Sequence, residues 1–356
     1  MLRPAESRRV RMAVICAAVL LVAAAIRPQA AAQDGADYEH LVDTYARGHL
    51  NEAVTALARW PRENVTAAVH GIALISQNGP GGPSPLRAAA MLHTDLAAAL
   101  SSSDGSLSEF HFGLARSLVG LLTAKNAQLK GAQEFVQRWY EFAPTLYLAT
   151  REIEKASQLV REGLTRSPAN PMLYFLGGAI NELQRSVPTT VVTRARGFST
   201  AAGPSASLLD VAAAEYRRAL AIDGHLAIAR LHLGWVRFQQ HDSRARVDLE
   251  TALADASDAG TQYLAHLFLG AIAEHENRLA DALAEYEKAR TIGPHYQTAY
   301  IAAIRTAAAL GDSERARQAA LTFVAAEKRE DPWWDYHLGG VNMPALEWLR
   351  TAVRTQ

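Results

Sequence analysis

The sequence predicts an all-α chain built from short antiparallel helix pairs that stack in chain order. Three observations carry this. From Asp34 onward the chain is rich in Ala, Leu, Glu and Arg, the strong helix formers. Strand-like alternation is almost absent: Val187 to Thr193 is the only β-branched run, and it sits between loop signals. A stripe of small and large apolar residues also recurs, seen most clearly in Leu269-Gly270 followed by Ala282, Tyr286, Ala289 and Pro294.

The N-terminus comes first. Arg3, Arg8, Arg9 and Arg11 precede an uncharged apolar run, Met12 to Ile26, and Ala30-Ala31-Ala32 closes the segment. A basic start, a short apolar core and a small-residue exit predict a signal peptide over 1–32, cleaved after Ala32, and hence an exported, periplasmic or secreted protein. The apolar run is shorter than the roughly 20 residues that span a bilayer, so no membrane span is expected in the mature chain.

Apolar periodicity then predicts helices at 37–47, 51–60, 64–76, 85–100, 107–124, 131–149, 151–165, 171–185, 208–222, 226–240, 243–254, 261–276, 279–291, 296–309, 313–327 and 344–354. Breaks rich in Gly, Pro and Ser fall at Asn78–Pro85, Ser101–Ser106, Val187–Ser207 and from Asp331 onward. Pro144 lies inside the 131–149 pattern and should kink or split it.

The recurring stripe reads as a packing code. Two helices approach closely where one presents Gly270 and the other Ala282, with Tyr286 filling the wider space beside that contact, and Pro294 ends the second helix. Leu233-Gly234 with Ala245, Leu249 and Ala252 repeats the pattern, as do Ala212, Tyr216 and Ala219, with Gly224 in the proline's place. Ala156, Val160, Gly163 and Pro168, followed by Tyr174 and Gly178, repeat it in part.

On these residues the chain resembles the tetratricopeptide-repeat proteins, whose unit is a helix-turn-helix of about 34 residues. The resemblance implies an α-solenoid, a superhelix of stacked pairs. It spans roughly 145–325, extends weakly over 36–140, and implies degenerate helical repeats over 33–144 and repeats over 145–330 with an insertion at about 187–207. Arg230 and His266 stand where the family places an aromatic, and Gly177 replaces the usual leucine. Residues 331–356 are expected to cap the stack: Asn342 would cap the last helix, Leu346, Leu349 and Val353 give it one apolar stripe, and Trp333, Trp334 and Tyr336 would pack beneath it.

Composition narrows the function. Residues 1–32 hold five of the 36 basic and one of the 36 acidic side chains, so the mature chain keeps 31 against 35, a net charge of −4. That argues against a nucleic-acid surface, whose mark is clustered Lys and Arg. The only cysteine, Cys16, lies in the apolar run, so the mature chain has no disulfide, thiolate metal site or catalytic thiol.

No pattern of catalytic or metal-binding residues stands out. His266 and His275 are nine apart, off the i, i+4 spacing that puts two imidazoles on one helix face, and His225 and His232, two turns apart, read as surface or interhelix histidines. His241-Asp242-Ser243 cannot converge as a triad and reads as a helix start. Glu285 with Lys288 or Arg290 reads as a solvated face. No cofactor is expected. Residues 61–144 hold His70, His93, Asp95, Glu109 and His111 without a recognisable arrangement, which keeps open an envelope hydrolase as the alternative.

The resemblance implies that the first helices of stacked repeats line a concave groove that holds a partner protein or peptide. The residues it places there are Leu231, Trp235, Phe238, Gln239, Leu267, Ala271, Glu274 and Arg305, with Phe175, Glu182 and Ile301 in flanking repeats. Trp235 and Phe238 are open to two readings: they line the groove, or they pack against neighbouring helices or the inserted loop. The expected function is a non-enzymatic scaffold of the cell envelope.

Overall fold

The computed structural model describes residues 28–78, 84–125, 131–186, 205–326, 331–336 and 343–354, and among them there are helices and no strands. The basic and apolar parts of the expected signal peptide, the bulk of the insertion at 187–207, and Asn342 lie outside the described residues. No helix among the described residues is long and apolar enough to cross a membrane. The helices are α1 (Pro28–Ala46), α2 (Leu50–Leu57), α3 (Arg62–Asn78), α4 (Ser84–Leu100), α5 (Gly105–Lys125), α6 (Ala132–Ala149), α7 (Ile153–Arg166), α8 (Pro171–Ser186) and α9 (Ser205–Ile222). They continue as α10 (Ala227–Gln239), α11 (Ala245–Asp255), α12 (Ala259–His275), α13 (Leu279–Ile292), α14 (Gln297–Ala309), α15 (Ser313–Ala325), α16 (Pro332–Tyr336) and α17 (Met343–Arg354).

Each helix that periodicity predicts is present, and one that it does not, α16, is added. Pro144 does not split α6, which runs unbroken from Ala132 to Ala149. The proline removes one backbone donor, but Phe142, Ala143, Thr145 and Leu148 around it are buried and hold the helix across the defect.

The chain forms two compact units, one of residues 1–139 with 346–356 and one of residues 140–345. The first gathers around α4, which touches α1, α2, α3 and α5. Every residue from Leu86 to Ala97 is buried, as befits a helix enclosed on all sides. Its polar side chains must therefore find partners inside. Asp95 takes two hydrogen bonds from Arg350, at 2.9 and 3.1 Å, and one of 2.7 Å from the Tyr45 hydroxyl. Thr94 accepts from the Trp139 indole at 3.0 Å. This unit departs from a plain stack of pairs, because its helices share one central member. The buried stripe Leu346, Leu349 and Val353 belongs to it. The stretch 331–356 is divided between the two units, 331–345 in the second and 346–356 in the first.

The second unit is sequential. Pairs α8/α9, α10/α11, α12/α13 and α14/α15 each pack on themselves and on the next, the arrangement of a solenoid. In three pairs the turn is the same. His241, Asn277 and Gly311 adopt φ of 58°, 58° and 79°, and the N–H of the next residue donates back to Arg237, Ala273 and Ala307 at 2.9, 2.8 and 3.0 Å. This is the left-handed helix end that closes the last carbonyls, a place that favours glycine. His241→Gly should accordingly raise the stability of this unit by about 0.5–1 kcal/mol, read from a denaturant midpoint.

Candidate functional site

The candidate site is the face that the first helices α8, α10, α12 and α14 present, and a repeated contact fixes their spacing. A Cβ added at Gly270 would lie 2.5 Å from the Tyr286 ring, and one at Gly178 would lie 2.3 Å from the Tyr216 ring. At Gly234 the neighbours are Leu249 at 2.8 Å and the Ala245 carbonyl at 3.2 Å. The glycine therefore receives the large residue of the stripe directly. Tyr286 does not sit beside a Gly–Ala contact; its ring lies on Gly270 itself.

From against its glycine, each tyrosine reaches a carboxylate one helical turn further on. Tyr286 donates to Glu274 at 2.8 Å, and Tyr216 donates to Glu182 in a short hydrogen bond. Burial first, then the neighbouring carboxylate, push both phenols upward, so they remain donors. Glu274 also accepts from Arg305 at 2.7 Å. Glu182 also bonds His232 Nδ1 at 2.8 Å and accepts from Tyr336 at 3.1 Å.

The residues that resemblance places in the groove divide. Leu231 and Leu267 do not line it: both are buried in the unit's apolar core, because each stands one turn before its glycine on the side that packs inward. Trp235 and Phe238 pack partly buried against that core. The Trp235 ring stacks on Phe268 with centroids 4.2 Å apart and meets Phe238 at 5.2 Å. Gln239, Ala271 and Glu274 are half-buried, and Arg305 is exposed. Of the flanking residues, Phe175 and Glu182 are buried and Ile301 is exposed.

The aromatic residues are covered by a segment that periodicity could not find. α16 lays Trp333 edge-on to Trp235 at 5.9 Å and to Phe268 at 5.6 Å. Tyr336 stacks on His232, centroids 4.1 Å apart and planes at 14°. These aromatics therefore pack on the first helices. The pair Trp235→Ala with Phe238→Ala should cost several kcal/mol, toward the roughly 3–5 kcal/mol of buried aromatics, visible as a lowered melting temperature.

The departures from the family pattern have partners too. His266 bonds Glu285 at 2.7 Å and Arg230 donates to the Gly224 carbonyl at 2.7 Å, each where an aromatic was expected. Glu285 is thus a tie between helices as well as a surface partner of Lys288, and its carboxyl is held below the usual range chiefly by the His266 bond. Arg290 pairs with Glu287 at 2.6 Å instead. His225 meets Asp255 at 3.0 Å. Asp242 accepts from the Arg244 N–H at 2.9 Å, a turn just ahead of α11.

In the first unit the structure brings together His93 and His111, from α4 and α5, with their Nδ1 atoms 2.8 Å apart. The Tyr38 hydroxyl closes the other side of His93 at 2.8 Å. Burial pushes His93 well below the ordinary histidine range and His111 down to about 4. Both rings are sealed from solvent, so neither reaches a substrate in this conformation. Asp95 serves Tyr45 and Arg350, while Glu109 is exposed and His70 half-buried. Among the described residues no group of three His, Asp or Glu is placed to hold a metal ion.

No protein-family model matches the sequence, and no curated protein matches it. Among solved structures it is similar to MamA, at 17% identity over 50% of this chain and 90% of that one, TM-score 0.38. It is similar to Pseudomonas aeruginosa pilF at 15% identity over 62% and 90%, TM-score 0.46. It is also similar to the human IFIT1 dimer with m7Gppp-AAAA, at 14% identity over 77% and 67%, TM-score 0.43. At such scores these likenesses say nothing of activity or partners. The chain's own geometry defines its class: the second unit is an α-solenoid of stacked antiparallel helix pairs.

Proposed function

We propose that the chain is a non-enzymatic interaction scaffold, exported to the cell envelope, that binds a partner protein or peptide on the first-helix face of its second unit. The observation that carries this is the run of Gln239, Ala271, Glu274 and Arg305, which keeps polar and small groups accessible across three successive first helices beside the aromatic cluster. Glu274 and Arg305 hold each other in place there, side-chain exposures 28% and 66%. Such a pre-ordered polar rim around an aromatic floor is what peptide recognition uses.

The test is capture from an envelope extract. Ala271→Arg with Arg305→Glu changes this face without touching the core. Expected are an unchanged helical spectrum and melt, with partner retention down at least tenfold. Unchanged capture would remove this face from the function. Export has a separate test: intact mass of the envelope form should begin at Gln33, and a full-length mass there would sink the cleavage.

A further inference from the structure

The first-helix face of the second unit already holds something shaped like a ligand. Asp331 is wholly buried. Its carboxylate accepts from the Thr298 N–H at 2.7 Å, at the start of α14, and from the Tyr263 hydroxyl of α12 at 3.1 Å. It also accepts from the Trp333 N–H at 3.0 Å, which starts the turn of α16. A carboxylate at a helix N-terminus is held by both the free N–H groups and the positive end of the dipole. Two residues on, Trp333 lies against Trp235 and Phe268. Three further on, Tyr336 stacks on His232 and places its hydroxyl on Glu182 of α8.

Six residues thus touch all four first helices in turn, with a charged anchor at one end, an aromatic in the middle and a hydrogen-bonded phenol at the other. A solenoid does not need this. Its pairs pack on their neighbours in sequence, whereas this segment crosses them. Glu182 and His232 also lie far from it in the chain, 154 and 104 residues before Tyr336.

We infer that this face is a recognition site for a short helical peptide carrying an aspartate, an aromatic two positions later and a tyrosine five positions later. Residues 331–336 are its resident occupant, and a partner of the same chemistry must displace them. The inference rests on the reading that this face binds partners, and it names what they present. A tethered occupant competes at an effective concentration on the order of millimolar. A free peptide therefore meets a largely closed site in the wild-type chain.

The experiment uses the full chain and a labelled peptide of residues 330–338, EDPWWDYHL, read by fluorescence anisotropy. Trp333→Ala with Tyr336→Ala should free the face, and peptide binding should tighten at least tenfold over wild type. A scrambled peptide should not bind, and the peptide with Asp331→Asn or Tyr336→Phe should bind more weakly. Should the double variant lose helical content, the chains carrying Tyr336→Phe or Asp331→Asn are used in its place, and any that keep the wild-type spectrum should still gain peptide binding.

Equal binding to wild type and to every folded variant overturns the inference. So does loss of helical content in all of them, which would make the segment a structural plug. A peptide that binds while no envelope partner is captured leaves the inference standing and removes the scaffold reading. Capture that is lost with Ala271→Arg and Arg305→Glu, yet indifferent to excess peptide, does the reverse.

Discussion

Gly178→Ala is expected to destabilise the second unit by about 1–3 kcal/mol, although alanine is the better helix former. The added Cβ would stand 2.3 Å from Cε1 and 2.7 Å from Cδ1 of Tyr216. The ring has nowhere to go. Tyr216 is wholly buried, its hydroxyl is tied to Glu182 and His232, and the Phe175 and His232 rings flank it at 5.9 and 5.4 Å. Relief requires moving a helix or breaking a buried hydrogen-bond set. The neighbouring glycine supplies the control. A Cβ at Gly177 meets nothing closer than 3.7 Å, at the Glu215 carboxylate. Gly177→Ala should therefore gain about 0.5–1 kcal/mol from helix propensity alone. Opposite signs at adjacent positions, read from two denaturant midpoints, would establish the glycine–tyrosine contact. A Gly178→Ala midpoint at or above that of Gly177→Ala would show that the ring does not lie there.

These neighbours also show what the sequence could and could not carry. Leu-Gly pairs and stripes at i, i+4, i+7 mark which faces of two helices meet, so the solenoid was legible from Gly234, Gly270, Ala282 and Ala289. Periodicity does not say which side chain crosses the gap, so it leaves open that the Tyr286 ring lies on Gly270 and not beside it. The same gap put Leu231 and Leu267 in the groove, where one helical position separates core from face. α16 is five residues long, too short for any period. Its signals were local ones, Asp331 followed by Pro332, an anchor and a helix-starting residue. The partners of Tyr336 lie more than a hundred residues away, and no spacing rule reaches them. His93 and His111 are eighteen apart on different helices, and only their packing brings them into contact.

That pair sets a pH limit on the first unit. His93 and His111 share one Nδ1–Nδ1 hydrogen bond, which requires a proton on one nitrogen and a lone pair on the other. Tyr38 bonds the far nitrogen of His93, and Arg62 of α3 adds a positive charge on the His111 side. Among these neighbours no carboxylate offsets a second proton. Burial first, then the neighbouring His111 ring for His93 and the Arg62 charge for His111, lower both histidines, with His111 near 4. In the unfolded chain each would take its proton near 6.5. The stabilising neutral pair is therefore complete above that value. Below it the unfolded state binds protons that the folded state refuses, and stability falls with pH. Both histidines are lowered, so their effects add in the same direction as the pH falls. Hydrogen exchange in residues 84–125 should accelerate between pH 6.5 and 4.5 more steeply than intrinsic chemistry allows, while α12 and α13 lag behind. His93→Gln with His111→Gln should be weaker at neutral pH yet lose most of that pH dependence. A wild-type chain whose α4 protection is level across this range, after correction for intrinsic rates, would mean that the pair accepts a proton without leaving its pocket.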